Sequence, residues 1–416
     1  MRQAVVIVCC VLWHWVAEAQ VSMEEFLGAA FQSQKLQTLD QQQNFLLTKP
    51  YQLAPIRKLA FQTTSNQLDR TRQDYSFRVL PSNPWEVRNT NNYFKTYSEL
   101  IKIDQERQLR DALRERYLLI IEWGYWDEIL KLKQEEKDNT QKLLSIMEAQ
   151  RLSVNFNPEE YVELKLDQVD QAIELEEMAF NRDAIQKKVE ALYEAAKQKS
   201  IGWNGASLMT VEKMEELTNR ARQEGRNTGS ELAYREKQIE LAMRKWQLEK
   251  SNINVGFIQT QYEPFREESN RRPWSISMGL TIPLFNPNKG DMAQRKLQVI
   301  EAQGVFEQTK LAQRQGKDFA YEKMMNLLSR YKDVSKMTAD LNFGDLANTL
   351  QQLKSNNPTT VVRLQNRSLR LKVLTARLKR EILTSYIDFL MYAELLQQQP
   401  IINYLSPALT AVGGEK

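Results

Sequence analysis

The side chains best suited to nucleophilic, acid–base or metal chemistry are confined to one short segment of this chain. The only cysteines are Cys9 and Cys10, and the only histidine is His14. All three lie in an apolar run, residues 4–16, that ends before the small-x-small sequence of residues 17–19. This pattern is typical of a secretory signal peptide, so we expect residues 1–19 to be cleaved. A membrane anchor is the alternative, although an anchor needs about 20 apolar residues.

A mature chain without cysteine or histidine has little means of catalysis. It would lack thiolate nucleophiles, imidazole bases, disulfides and the Cys/His ligands of a zinc site. The sequence also lacks a G-x-S-x-G motif, a P-loop and a G-x-G-x-x-G motif. We therefore expect no enzyme and no cofactor. The formal net charge of +4 is small beside 57 basic and 53 acidic residues, so we expect no nucleic-acid partner either.

The clearest strand pattern in the chain lies in its second half. Small or polar residues alternate there with six apolar residues, which are Trp274, Ile276, Met278, Leu280, Ile282 and Leu284. Strands of an outer-membrane barrel need about 9–11 residues with this alternation. An ordinary antiparallel strand with one face on a protein core fits the pattern equally well.

A weaker hairpin is predicted in the first half. Residues 75–79 and 85–87 show short alternation on either side of a turn that contains Pro81 and Pro84. Charged residues such as Arg78 and Glu86 interrupt both arms, so these strands are expected to be too short and too polar to span a hydrocarbon layer. The stretch before them, up to Arg70, is expected to hold a short helix.

Long helices account for most of the remaining chain, and they occur as two repeats. A helix over residues 93–150 would be roughly 85 Å long, so it must pack along other rods as coiled coils do. Asn157-Pro158 opens a returning helix, and Asn357-Pro358 opens another one 200 positions later, with Leu164 matching Leu364. We therefore predict two repeats, residues 20–200 and 201–416, within one structural domain.

The two returning helices carry opposite charges at matching positions. The acidic set is Glu163, Asp167, Asp170 and Glu177, and the basic set is Arg363, Arg367, Arg370 and Arg377. One interpretation is that both faces are simply solvated. The other is that helix pairs lie side by side around a ring, acidic against basic. Exposed pairs contribute only about 0–1 kcal/mol each, so they would mainly specify pairing.

Taken together, the order of elements and several segments resemble the TolC family of outer-membrane efflux and secretion ducts. The matching segments are residues 22–27, residues 274–285 followed by Gly290, and the two helix turns. This resemblance implies a mainly α fold with a small β part. Long antiparallel helical hairpins would pack as coiled coils, and each protomer of a homotrimer would add four strands to a shared β-barrel.

The resemblance also implies a function and its partners. The chain would be a passive duct in the outer membrane of a Gram-negative envelope, with a large periplasmic portion. It would serve a tripartite efflux or type I secretion system together with a periplasmic adaptor and an inner-membrane transporter. The turns at Asn157-Pro158 and Asn357-Pro358, with Leu164 and Leu364, would form the tunnel tip where the adaptor docks. Family ducts often carry acidic residues after the second turn, but here residues 361–367 read VVRLQNR.

The short strands predicted in the first half leave a second function open. A chain that kept the helical hairpins but could not complete a barrel would be a secreted coiled-coil scaffold or assembly subunit of the envelope.

Overall fold

The computed structural model describes residues 20–65, 73–152, 156–203, 208–223, 229–253, 255–264, 273–281, 288–340 and 358–413. The chain divides into two compact units. The helical unit comprises Met1–Leu36, Gln108–Asn227 and Gln313–Lys416, and the sheet unit comprises Gln37–Arg107 and Thr228–Ala312. Each unit draws on both halves of the chain. The repeat boundary at residue 200 therefore does not coincide with a boundary between units, and it stays a prediction.

Helices form most of both units. They are α1 (Met23–Gly28), α2 (Gln34–Leu47), α3 (Pro84–Ala149), α4 (Pro158–Leu192), α5 (Val211–Gln223), α6 (Ser230–Ser251), α7 (Lys289–Asp340) and α8 (Pro358–Tyr392). Ser22 caps α1, because the backbone N–H of Glu25 donates to Ser22 Oγ at 3.0 Å. Among the described residues, none of the helices is both long enough and apolar enough to cross a membrane.

The sheet unit contains one antiparallel sheet in the order β1-β2-β3-β4. Its strands are β1 (Ile56–Ser65), β2 (Gln73–Pro81), β3 (Gly256–Tyr262) and β4 (Trp274–Leu280). Gly256 opens β3 with a φ of 135°, and a Cβ there would collide with the carbonyl group of Gly279. This explains why a glycine stands where β3 begins beside β4.

The predicted first-half hairpin was wrong in its pairing and in its length. β2 pairs with the ten-residue β1 that precedes it, where a short helix was expected. The second predicted arm, residues 85–87, is instead the first turn of α3. Pro84 favours this outcome because a proline fits the first position of a helix. The helix therefore starts earlier than the predicted residue 93.

The buried side chain of Asn83 connects two segments at which helices and strands adjoin. The Asn83 side-chain oxygen accepts from the backbone N–H of Trp85 at 3.0 Å and so caps α3. Its amide nitrogen donates to the carbonyl oxygen of Ser251 at 2.8 Å and to that of Ile253 at 3.2 Å. One side chain thus ties the exit from β2 to the segment between α6 and β3.

The core of the helical unit lies where α3 and α8 pass α1, α5 and the residues after α8. Tyr117 of α3 is fully buried and donates to the carbonyl oxygen of Ile402 at 2.8 Å. Burial raises the pKa of Tyr117 far above its ordinary value, so the phenol keeps its proton and remains a donor. Asn403 and Thr410 donate to the Glu24 carboxylate, which fixes the carboxyl-terminal segment against α1.

Candidate functional site

One face of the sheet is apolar across all four strands. The register aligns Met278 with Ile258, Ile258 with Val79, and Val79 with Leu59. The next row along this face is Ile276, Thr260, Phe77 and Phe61. In β4 the exposed fraction rises from 65% at Trp274 to 79% at Leu280. Among the described residues no protein core covers the β4 part of this face, so the alternative of an ordinary strand packed on a core is not favoured there.

Aromatic rings mark the end of the apolar face farthest from the helices. Tyr262 and Trp274 lie opposite each other in the register, with ring centroids 4.7 Å apart. Tyr75 lies in the same row as Tyr262 and stacks with Phe61 of the neighbouring row, with centroids 6.1 Å apart. Rings of this kind are enriched where a bilayer meets water, because they combine an apolar body with a polar group.

The opposite face of the sheet is mainly polar, although Ala60, Leu80 and Phe257 also lie on it. Gln62, Ser76 and Gln261 form one cross-strand row with Ser275. Arg78 also lies on this face, where its Nε and Nη2 donate to Gln259 Oε1 at 2.9 and 2.6 Å. Arg78 therefore does not interrupt the apolar face. The expectation that the first-half strands are too short and too polar to cross a bilayer is wrong in its premise, since β1 and β2 have ten and nine residues.

Part of the predicted membrane-facing strand is confirmed as a strand. Trp274, Ile276, Met278 and Leu280 lie in β4 with their side chains exposed on one face. Ile282 and Leu284 lie outside the described residues. Contact of this face with lipid stays a prediction.

The sheet has two open edges. Within the described residues, β1 pairs only with β2, and β4 pairs only with β3. Strand edges carry backbone donors and acceptors that need partners when water is absent. A two-faced sheet with both edges open is therefore incomplete as a membrane structure.

The first helix turn begins α4 at the predicted residues. Asn157 Oδ1 accepts from the backbone N–H groups of Glu159 and Glu160 at 3.1 and 3.3 Å, and Pro158 is the first residue of α4. Tyr161 donates to the Glu148 carboxylate at 2.7 Å, and this bond, together with Lys165, holds the pKa of Glu148 below its ordinary value. These contacts close the hairpin between α3 and α4.

The second turn is only partly described. Pro358 begins α8, as predicted, whereas Asn357 lies outside the described residues. Leu164 and Leu364 are both half-buried in the helical unit. The docking of an adaptor at these turns stays a prediction.

Comparison with known proteins gives neighbours in fold. No family model and no curated protein matches the chain. Among solved structures, the outer membrane protein VceC of Vibrio cholerae is 10% identical with a TM-score of 0.66, over 91% of this chain and 98% of that one. The Campylobacter jejuni CmeC outer membrane channel is 9% identical with a TM-score of 0.67, over 93% and 86%. A membrane protein from Pseudomonas aeruginosa is 11% identical with a TM-score of 0.66, over 91% and 92%.

This chain has a TolC-like fold. At these identities the likeness is one of fold, and it accounts for the mainly helical chain with one small antiparallel sheet.

The basic set on α8 of this TolC-like chain has partners other than the predicted ones. Arg370 Nε lies 2.9 Å from Glu136 Oε1 on α3, whereas the sequence alignment matches Arg370 with Asp170. Arg363 pairs with Glu160, which lies one helical turn before Glu163. Arg377 contacts Glu381 on its own helix. Pairing of the full acidic and basic sets stays a prediction.

A buried polar layer on α3, which the sequence did not reveal, joins three helices of the TolC-like hairpins. Glu136 is only 2% exposed and lies near both Arg370 of α8 and Lys133, whose Nζ is 3.1 Å away. Thr140, 1% exposed, accepts from Gln171 of α4 at 3.1 Å and from Asn366 of α8 at 3.5 Å. Burying a carboxylate is costly unless charges accompany it, so an arrangement of helices that removed Lys133 and Arg370 from Glu136 would be disfavoured.

A second feature missed from the sequence is an exposed apolar stripe on α4, here called the α4 stripe. Its members are Val162, Leu166, Val169, Ile173 and Phe180, each 56–72% exposed. Their steps of four, three, four and seven are the spacing of a coiled-coil seam. That spacing was the available signal. Acidic residues flank the stripe, and within residues 158–180 there are eight acidic residues and one lysine.

Proposed function

We propose that this protein is an outer-membrane channel whose copies close a shared β-barrel. The observation that carries the proposal is the two-faced sheet with two open edges. Its apolar face suits lipid and its polar face suits a water-filled lumen. Because the strands alternate in direction, β4 of one copy would run antiparallel to β1 of the next, as a closed barrel requires.

Closure explains why a single copy is not enough. A bilayer core offers no water to hydrogen-bond the free edges of β1 and β4, and each unsatisfied group there costs several kcal/mol. The TolC-like fold favours three copies, because channels of this fold are trimers. The resulting protein would be a passive conduit of the outer membrane, with its long helices in the periplasm.

The helical unit offers a matching seam between copies. Within one chain α4 contacts α3 through Glu174 and Lys133, α3 contacts α8 through Arg114 and Asp388, and α8 contacts α7 through Phe389 and Tyr321. The outer members of this row are α4 and α7. We assign the α4 stripe to contact with α7 of the next copy.

The surface of α7 suits this partner. Exposed residues recur on it at the same four–three spacing, and they are Phe319, Lys323, Asn326, Arg330, Asp333 and Met337. Apolar side chains begin and end the set, with the bases Lys323 and Arg330 between them. Lys323 and Arg330 outnumber the one acidic member, Asp333, so the set carries a small positive charge that complements the acidic flanks of the α4 stripe.

Cysteine cross-linking should detect this seam. Ile185 and Thr384 line one groove, and Gly316 lies against Tyr392. Ile173 lies about 12 residues from Ile185 along α4, and Met337 lies about 21 residues from Gly316 along α7. The same numbers of residues along α8, counted from Thr384 and from Tyr392, both lead to residues 371–374. At 1.5 Å per residue, Ile173, Met337 and residues 371–374 therefore lie at one level along the helices. We expect chains carrying Ile173→Cys to form disulfide-linked dimers when co-expressed with chains carrying Met337→Cys. With one cysteine per chain, a bond between positions 173 and 337 must join two copies.

The matched control replaces the α7 cysteine with one on α8. Leu374 lies between Arg370 and Arg377 of the basic set on α8 and is 40% exposed. Dimers formed with Leu374→Cys, and absent with Met337→Cys, would contradict the α7 seam and favour the acidic-to-basic match between α4 and α8. Because the mature chain is expected to lack cysteine, few disulfide-linked dimers should form through other positions.

Energy and cargo would come from partners. A passive conduit needs an inner-membrane transporter and a periplasmic adaptor, and we place adaptor docking at the turns that precede α4 and α8. Service in tripartite efflux or in type I secretion fits these features equally. The scaffold alternative rested on first-half strands too short for a barrel, and the lengths of β1 and β2 remove that ground.

A further inference from the structure

Within the described residues, Arg78 on the polar face of the sheet has no acidic hydrogen-bonding partner. Both guanidinium hydrogen bonds of Arg78 go to the neutral side chain of Gln259, and its Cζ lies 4.5 Å from the ring centroid of Phe257. Among the described residues these partners are uncharged. Arginine stays protonated at any ordinary pH, so the full positive charge remains on this face.

A second positive residue lies near Arg78, whereas the acidic residue of the same strand is farther away. Lys58 of β1 shares the polar face and lies two residues from Ala60, which is directly opposite Arg78. The acidic residue of β2 on this face is Asp74, four residues away and thus about 13 Å along the strand. The helix-proximal half of the polar face is therefore positive.

We propose that Arg78, repeated in each copy around the barrel, forms a positive band that gives the pore a preference for anionic solutes. This inference rests on the proposed barrel, because only lipid contact on the apolar face directs Arg78 into the lumen. Rings of charged side chains are a general means by which pores select ions. Two features fix the position of the charge, since Gln259 holds two of the guanidinium donors and Phe257 lies beneath its plane.

Ion selectivity of the purified oligomer in planar lipid bilayers tests the proposal. With a KCl gradient kept at or below 0.1 M, where screening extends over about 10 Å or more, the wild-type pore should pass chloride in preference to potassium. Arg78→Gln should lower the chloride-to-potassium permeability ratio at least twofold, and Arg78→Glu should make the pore prefer potassium. Gln259→Glu should also lower the ratio, because it places a carboxylate against the guanidinium without altering Arg78.

Two controls separate charge from structure. Arg78→Lys keeps the charge and should keep the preference, whereas Lys35→Gln removes one positive charge from α2, outside the sheet, and should change nothing. An unchanged ratio in Arg78→Gln, or an equal shift in Lys35→Gln, would overturn the inference while leaving the channel itself intact. A wild-type protein that forms no conducting pore would instead overturn the proposed function, and the inference with it.

Discussion

A chain carrying Met278→Arg should fail to accumulate as an oligomer in the outer membrane, whereas the adjacent change Ser277→Arg should assemble normally. Met278 lies on the apolar face of β4 and is 77% exposed, while Ser277 lies on the polar face. An arginine facing lipid near the middle of a bilayer costs about 2–4 kcal/mol, and the cost recurs in every copy. An arginine in a water-filled lumen carries no such cost.

Membrane fractionation followed by electrophoresis without boiling measures this difference. The two substitutions introduce the same side chain at neighbouring positions of one strand, so loss of β propensity cannot separate them. Equal assembly of both variants would show that the apolar face does not contact lipid. Loss of Ser277→Arg alone would show that the sheet faces are assigned the wrong way round.

The second large effect is expected at the buried polar layer of the helical unit. Arg370→Glu would place a carboxylate beside Glu136, whose side chain is 2% exposed. Arg370 itself is 69% exposed, so its loss should cost less than the about 3–5 kcal/mol of a fully buried pair, and Lys133, 3.1 Å from Glu136, should offset part of that cost. We expect the hairpins to loosen and, if the proposed channel is sealed by them, cells to become leaky to large antibiotics.

Reversal of the partner identifies which acid Arg370 meets. Glu136→Arg combined with Arg370→Glu should restore the barrier to antibiotics if the Arg370–Glu136 pair holds the hairpins together. Asp170→Arg combined with Arg370→Glu should restore it if the helices pair as the sequence alignment suggests. Wild-type leakage in Arg370→Glu alone would show that neither pair holds the hairpins together.

Local signals account for the parts of the fold that were predictable from the sequence. The alternation in β4 and the caps at Ser22 and Asn157 are set by neighbouring residues, so each could be recognised without tertiary information. β1 was missed for a physical reason. The apolar face of β1 carries Leu59 and Phe61 but then Thr63, and its polar face includes Ala60. The alternation of apolar and polar residues along β1 is therefore weak.

Neighbour relations between helices were not accessible in the same way. Charge matching at a separation of 200 residues assumed that equivalent helices of the two repeats meet. In the chain α8 lies beside α3, and Arg370 finds Glu136 there. The pairing depends on how hairpins pack, which no local sequence pattern encodes. The α4 stripe was visible in the spacing of its apolar residues, but its exposure could be seen only in the structure.

Imaging of the detergent-solubilised protein tests the central claim most directly. Particles purified from outer membranes should show three-fold symmetry, with one closed barrel built from three copies of the four-stranded sheet and with β4 of each copy paired to β1 of the next. Particles with a single copy, or with sheets whose β1 and β4 edges remain unpaired, would contradict it.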